Sequence, residues 1–330
     1  NNSSGSAPST TAAYMLWADT GNNLLKMRNS ANDGWIDLRT LTGGLTSAAD
    51  ATINSITVGK GANSVAGNTV LGETALDASV SGGNNTAIGL SALSAHTSGT
   101  ANTAVGQNAM LLNTTGTENA AFGAITLDAN TTGSNNTAIG RSALGSNTTA
   151  SNNVAVGYNA LLSNTTASFN TAVGAQAGDA VTTGAQNTVM GYNAFTSATT
   201  AAYNTGVGYR SLLSVTDSQY NTAFGYETVR STTTGGSNVG IGAFALYENT
   251  TADDNVAVGY ESLRQNTTGT RLVAMGRRSL KQNTTADDNT AIGHHALELN
   301  TTGARNTALG STSLDANTTG ENNTAVGQQA

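Results

Sequence analysis

Apolar and polar positions alternate with one fixed phase over most of the chain. From Asn68 onward the run Asn-Thr-Ala-(Val/Ile)-Gly returns every 17 residues, and its glycine falls at sixteen positions from Gly72 to Gly327 without an insertion or deletion. Counting one unit from that Asn, position 1 is Asn in 15 of 16 copies, with Leu272 the exception. Position 4 is always apolar, from Leu71 and Ile88 through Phe122 to Val326. Position 9 is mostly Leu, as at Leu93, Leu161, Leu263 and Leu297, and is Gly178 once. Position 15 is always small, as at Gly116, Ala150, Ser218 and Gly303. Asn102, Asn153, Asn255 and Asn323, with Gly106, Gly157, Gly259 and Gly327, stand for the structural residues of the repeat.

A strict period means that each unit occupies an equivalent place in a stack. Linkers between separate domains tolerate length changes; a solenoid coil does not, because one extra residue breaks pairing on both sides. Seventeen residues are too few for a helix pair, which needs about 30 or more, and Asn, Thr and Gly are poor helix formers. The pattern predicts an all-β fold, a parallel β-solenoid of sixteen 17-residue coils. Positions 1–4 are a strand, Gly at position 5 ends it with φ > 0 or a close backbone approach, and the stretch around positions 8 and 9 is a second strand or extended segment. Asn-Thr-Thr-Gly at positions 12–15 is the turn, and the position-1 asparagines stack as a ladder. Fifteen steps of about 4.8 Å give a rod of roughly 70 Å.

The large apolar side chains at positions 4 and 9 are the expected core. Side chains alternate along a strand, so positions 2 and 4 share one face and positions 1 and 3 the other. Position 3 holds only Ala, Val or Gly, as at Ala104, Val189 and Gly206. Uniform smallness there suits either a very thin single coil or a homotrimer with position 3 near a shared axis. The homotrimer is the expectation taken forward.

Residues 13–42 break the pattern and hold both tryptophans. They read as a β-meander with strands Ala13–Ala18, Leu24–Arg28 and Trp35–Leu41, turning at Asp19–Asn23 and Asn32–Gly34. Residues 1–12 form a polar arm, 43–67 a connector and 68–330 the solenoid shaft.

Composition narrows the classes. The chain has no Cys, which removes disulfide frameworks and thiolate metal sites, and one Pro, which removes collagen. No run of 18 apolar residues exists to span a membrane as a helix. Only 10% of residues are charged and the net charge is −7, so no electrostatic case exists for nucleic acid.

The recurring Asn-Thr-Ala-Val-Gly, at Asn85–Gly89, Asn102–Gly106 and Asn323–Gly327 among others, resembles the head repeats of YadA-like trimeric autotransporter adhesins, which form a trimeric parallel β-roll. The coil here is longer, because of its Asn-Thr-Thr-Gly turn. The segments Trp17–Thr20, Asn23–Asn29 and Trp35–Leu38 are similar to segments of tailed-phage fibre proteins that precede such arrays. Together these resemblances imply a structural virion fibre, the shaft of a phage tail or side fibre. Its partners would be two further copies of itself, other tail proteins at the N-terminal region, and a host receptor or glycan bound by a tip beyond Ala330. The expected location is the virion or the cell surface. The alternatives are a YadA-like bacterial adhesin head and an ice-binding solenoid with flat Thr rows.

Candidate chemistry is thin. His294 and His295 form a pair accompanied only by His96. Asp253–Asp254 and Asp287–Asp288 occupy equivalent positions two coils apart, too far for one calcium ion, which needs oxygens at about 2.3–2.6 Å. Arg271, Arg277, Arg278 and Lys281 are a basic cluster on an acidic chain. Val58-Gly59-Lys60-Gly61 lacks the spacing and the Ser/Thr of a P-loop, and Gly240-Ile241-Gly242 lacks the third glycine of a dinucleotide loop. No enzyme, cofactor or metal is expected. Nine Asn-Thr-Thr copies, at Asn113, Asn130, Asn147, Asn164, Asn249, Asn266, Asn283, Asn300 and Asn317, are formal glycosylation sequons. The opening without Met and the regular last repeat lead to the expectation that the chain is a segment of a longer product.

Overall fold

The computed structural model describes residues 2–4, 16–22, 24–28, 35–40 and 50–330. The chain divides into two compact units, Asn1–Ala51 and Thr52–Ala330.

In the first unit Leu16–Asp19, Leu24–Arg28 and Trp35–Thr40 form an antiparallel meander, with a bulge between Leu25 and Lys26. Its first strand takes a further partner from the expected polar arm: Asn2–Ser4 is a strand, parallel to Leu16–Asp19. The expected turn at Asn32–Gly34 lies outside the described residues. Asp19 is buried at the first turn and accepts from the Asn22 backbone (3.2 Å), the Asn22 amide (2.9 Å) and Lys26 Nζ (3.3 Å). The Asn22 hydrogen bond, helped by Lys26, holds its carboxyl below the usual range despite burial.

The second unit is a parallel β-solenoid. Each coil contributes one short strand at positions 2–4, paired in parallel with the same positions 17 residues away; the ladder begins with the four-residue Thr69–Gly72, continues through Thr86–Ile88, Thr103–Val105 and Ala120–Phe122, and ends at Thr324–Val326. At its start Ile56–Gly59, inside the expected connector, pairs antiparallel with Thr69–Gly72.

Two expectations are corrected. The stretch around positions 8 and 9 is not a strand, because the backbone there is left-handed at positions 7 and 9. Leu93, Leu144, Leu161 and Leu263 have φ of 53°, 51°, 50° and 49°. Such a backbone costs an L-residue about 1–2 kcal/mol. The position-9 side chain is fully buried in return, at 0–1% exposure for these leucines, and that burial contributes about 1.5–3 kcal/mol, enough to hold the turn. Gly178 sits at the same place with φ 60° and no strain.

The second correction concerns the core. Position 9 fills it, but position 4 does not. Ile139, Phe122, Phe224, Ile241 and Met275 are each 42% exposed, whereas Ala104, Ala155 and Ala257 at position 3 are 0% exposed. The strand turns positions 1 and 3 inward and positions 2 and 4 outward. A Cβ on Gly206 would meet Leu212 Cδ1 at 3.0 Å, and one on Gly240 would meet Val229 Cγ2 at 2.7 Å. The opposite wall of the same chain therefore sets the smallness of position 3. No second copy is needed to explain it, and the placement of position 3 at a shared axis is withdrawn.

Gly at position 5 behaves as its pattern implies. Gly106, Gly157 and Gly259 have φ of 140°, 139° and 131°. A Cβ on Gly157 would lie 2.4 Å from the Gly174 carbonyl oxygen, its counterpart in the next coil. Both conformation and crowding exclude other residues.

Candidate functional site

Three side-chain ladders run along the solenoid. In the first, Asn at position 1 accepts on Oδ1 from the backbone N–H of the next position-1 residue: Asn102 N–H donates to Asn85 (2.9 Å), Asn153 N–H to Asn136 (3.0 Å), Asn255 N–H to Asn238 (3.2 Å) and Asn323 N–H to Asn306 (2.9 Å). Leu272 keeps its N–H on Asn255 Oδ1 (3.0 Å) but passes nothing onward by its side chain.

Position 12, expected as the first residue of the turn, forms a second ladder. Asn130 donates to Asn113 Oδ1 (2.7 Å) and Asn147 to Asn130 Oδ1 (2.8 Å), all at 0% exposure. Each also donates to the position-15 carbonyl of its own coil, as Asn130 does to Gly133 (3.0 Å). A signal for this was present: Val181, Ala198 and Val215 occupy the same column, and a solvated turn gives no reason for Val. His96 stands in for Asn at one rung, with Nε2 against Gly99 O (2.8 Å) and Nδ1 against the Asn113 amide (3.1 Å). Burial, opposed by those contacts, lowers its pKa. Where the ladder meets Val181, the buried Asn164 Oδ1 has no partner among the described residues. Except at the part-buried Asn317, the sequon amides are buried. Those that form rungs commit Nδ2 inside the coil, as at Asn130 and Asn283, so the folded coil withholds them from glycosylation.

The third ladder is outside. Each position-13 Thr hydroxyl donates to the carbonyl of the next position-13 Thr, unbroken from Thr97 to Thr318.

Two clusters depart from the repeat. Tyr192, Tyr209 and Tyr226 at position 6 stack with centroids 5.8 and 5.1 Å apart, and Tyr203 and Tyr220 at position 17 stack at 5.1 Å. Beyond them, Glu261 is 5% exposed and takes Arg264 (2.7 Å), Arg278 (3.0 Å) and Lys281 (3.1 Å). Burial raises its pKa, but Lys281, Arg278 and Arg264 outweigh burial and leave it below the usual range. The basic cluster is thus divided. Arg278 and Lys281 serve Glu261, while Arg271 forks onto Asp288 (2.6 and 3.0 Å), and Arg277 lies over the Tyr260 ring at 5.8 Å.

The acidic pairs close backbone bonds. Asp253 accepts from the Gly236 N–H (2.6 Å) and Asp287 from the Thr270 N–H (2.7 Å), each in the preceding coil. His295 pairs with Glu298, and its ring lies 3.9 Å from that of His294. Among the described residues, no group of three His, Asp or Glu side chains is placed to hold a metal ion, and no helix is long and apolar enough to cross a membrane.

No known family, curated protein or solved structure matches the chain.

Proposed function

We propose that the chain is the shaft of a virion fibre, a rod that holds a receptor-binding element away from a phage particle, assembled as a homotrimer and mounted on other tail proteins through its N-terminal region. The observation that carries this reading is the continuity of the axial ladders. Thr97 to Thr318 repeat one hydroxyl–carbonyl bond in every coil, and the buried asparagines repeat a second set alongside. Bending the rod strains several such bonds at once, each worth about 0.5–1.5 kcal/mol net.

Gold-labelled antibody against the solenoid tests this. Label on tail appendages of intact particles supports the shaft, and a deletion of four whole coils should shorten those appendages by roughly 19 Å. Label confined to the bacterial surface overturns it. A second reading, an adhesin whose coil surface binds directly, draws on the exposed aromatics Tyr192, Tyr203, Tyr220 and Tyr226.

A further inference from the structure

The buried position-12 ladder is interrupted for three coils. Val181, Ala198 and Val215, all buried, stand in the column that Asn fills on the N-terminal side. The rungs end at Asn164, whose amide still reaches Asn147 Oδ1 (3.0 Å) while its own Oδ1 has no partner among the described residues. They resume where Asn249 donates to Thr232 Oγ1 (3.1 Å).

A backbone rung fails in the same coils. From Ala95 to Leu299 the position-11 N–H donates to the position-10 carbonyl of the next coil, as Ser163 does to Asp179 and Ser214 to Arg230 (both 3.0 Å). Among the described residues of that run, Ala180 and Ser197 alone make no such bond. The bonds beside the gap persist, from the Phe195 N–H to Ser211 O and from the Thr182 N–H to Thr199 O (both 3.0 Å). The outer hydroxyl ladder is at its longest here, 3.5 Å from Thr199 Oγ1 to Thr216 O, and a hydrogen bond of that length is weak.

Position 9 supplies the cause. Gly178 has no side chain, and Phe195, one coil on, has the bulkiest in the column. Val181 and Val189 take up the space that Leu fills elsewhere: a Cβ on Gly178 would lie 3.6 Å from each. Neighbouring coils with cores of such unlike size cannot keep positions 10–12 in one axial register. Apolar contact replaces the bonds there, and it is non-directional.

The strand wall is intact. Thr171–Val173, Thr188–Met190, Thr205–Val207 and Thr222–Phe224 pair without a break. Asn187, Asn204 and Asn221 keep their position-1 rungs (2.9, 3.0 and 2.9 Å). The tyrosine stacks stand on the two margins of this wall, just after the strand in Tyr192, Tyr209 and Tyr226 and just before it in Tyr203 and Tyr220. One side of these coils is braced where the other has lost its rungs.

We infer that the solenoid has a built-in hinge, centred on Thr196–Ala198, where the corner at positions 10–12 opens transiently while the strand wall stays closed. In a repeat array each unit is held by its neighbours, so opening begins at the weakest interface between coils. The hinge rests on bonds within one chain, and depends neither on where the rod is mounted nor on how many copies assemble.

Amide hydrogen exchange on the full chain, read residue by residue and corrected for sequence, tests it. Phe195 and Thr199 have counterparts three coils away, Leu144 and Thr148, and all four N–H groups donate at 3.0 Å. Phe195 and Thr199 should exchange at least about tenfold faster than those counterparts, as locally opening segments do. The strand amides of Thr188 and Thr137 should exchange alike. Replacing residues 170–220 with a second copy of 119–169 substitutes three coils that keep Asn at position 12 and Leu at position 9, and should slow both fast positions to the Leu144 and Thr148 rates. Equal rates within the matched pairs of the unaltered chain overturn the hinge, whether or not the graft folds. A Thr188 amide as fast as that of Phe195 also overturns it, because the coils would then part on both sides. Fast positions that persist in the folded graft overturn the missing rungs as its cause.

Discussion

Asn102 and Asn113 share one acceptor: both side-chain amides donate to the Gly116 carbonyl, at 2.8 and 3.2 Å. The two buried ladders therefore meet in the coils that carry Asn at both positions, again at Ala150 for Asn136 and Asn147, and brace each other across the interior. Leaving one buried polar group unpaired costs about 1–3 kcal/mol. Asn153→Ala removes the acceptor of the Asn170 N–H (2.9 Å) and one of two donors to Ala167 O, so a loss of that size is expected, seen as faster local amide exchange in the adjoining coils. Asn130→Val should cost less, since Val181 and Val215 fill that column natively.

Gly157 carries the sharpest single-site demand. With φ 139° and the Gly174 carbonyl oxygen 2.4 Å from a Cβ, Gly157→Val should cost several times the stability lost by Tyr158→Val in thermal melts, Tyr158 being 48% exposed. Asn159 is a poorer control, because its own φ is 56° and a β-branched residue is strained there.

His96 makes one rung sensitive to acid. Burial lowers its pKa in the fold, so below the unfolded value, about 6.5, the unfolded chain binds a proton that the folded coil refuses. Stability there is full above that pH and declines as pH falls toward the lowered folded value. Amide exchange around Thr97 and Asn113 should accelerate from pH 7 to pH 5, and His96→Asn, which restores the common rung, should remove the pH dependence.

Ala155 tests the interior assignment of position 3. At 0% exposure it has no room for three more carbons, and overpacking costs about 1–3 kcal/mol. Ala155→Leu should lower the melting temperature of its coils even under dissociating conditions. A contact between copies would instead change assembly alone.

The period, a strand within positions 1–4 and the glycine at position 5 were legible because each recurs at one phase, as at Asn102–Val105 and Gly106; the strand itself covers Thr103–Val105. The direction of the strand's faces was not. Alternation fixes that Ala104 and Val105 oppose each other but leaves open which points inward, and the larger apolar residue is the ordinary choice for a core. The deciding fact is the left-handed backbone at Leu93 and Leu161, φ 53° and 50°, which swings position 9 into the interior and leaves space only for Ala opposite. Leu is disfavoured in that conformation, so propensity points away from it. Asn113 and Asn130 were hidden similarly: Asn-Thr-Thr-Gly has turn composition, and only the Val residues replacing Asn in that column mark it as interior.

The solenoid stacks in register, with one coil per 17 residues. Pairs of spin labels on cysteines placed at exposed position 14, with labelled chains diluted in unlabelled ones, measure it directly by dipolar distance. Thr132 paired in turn with Thr183, Thr234 and Thr285 spans three, six and nine coils, for which the stack predicts about 14, 29 and 43 Å at about 4.8 Å per coil. Distances that rise in that linear series support the solenoid. Distances that level off, or that spread broadly at nine coils, would contradict it.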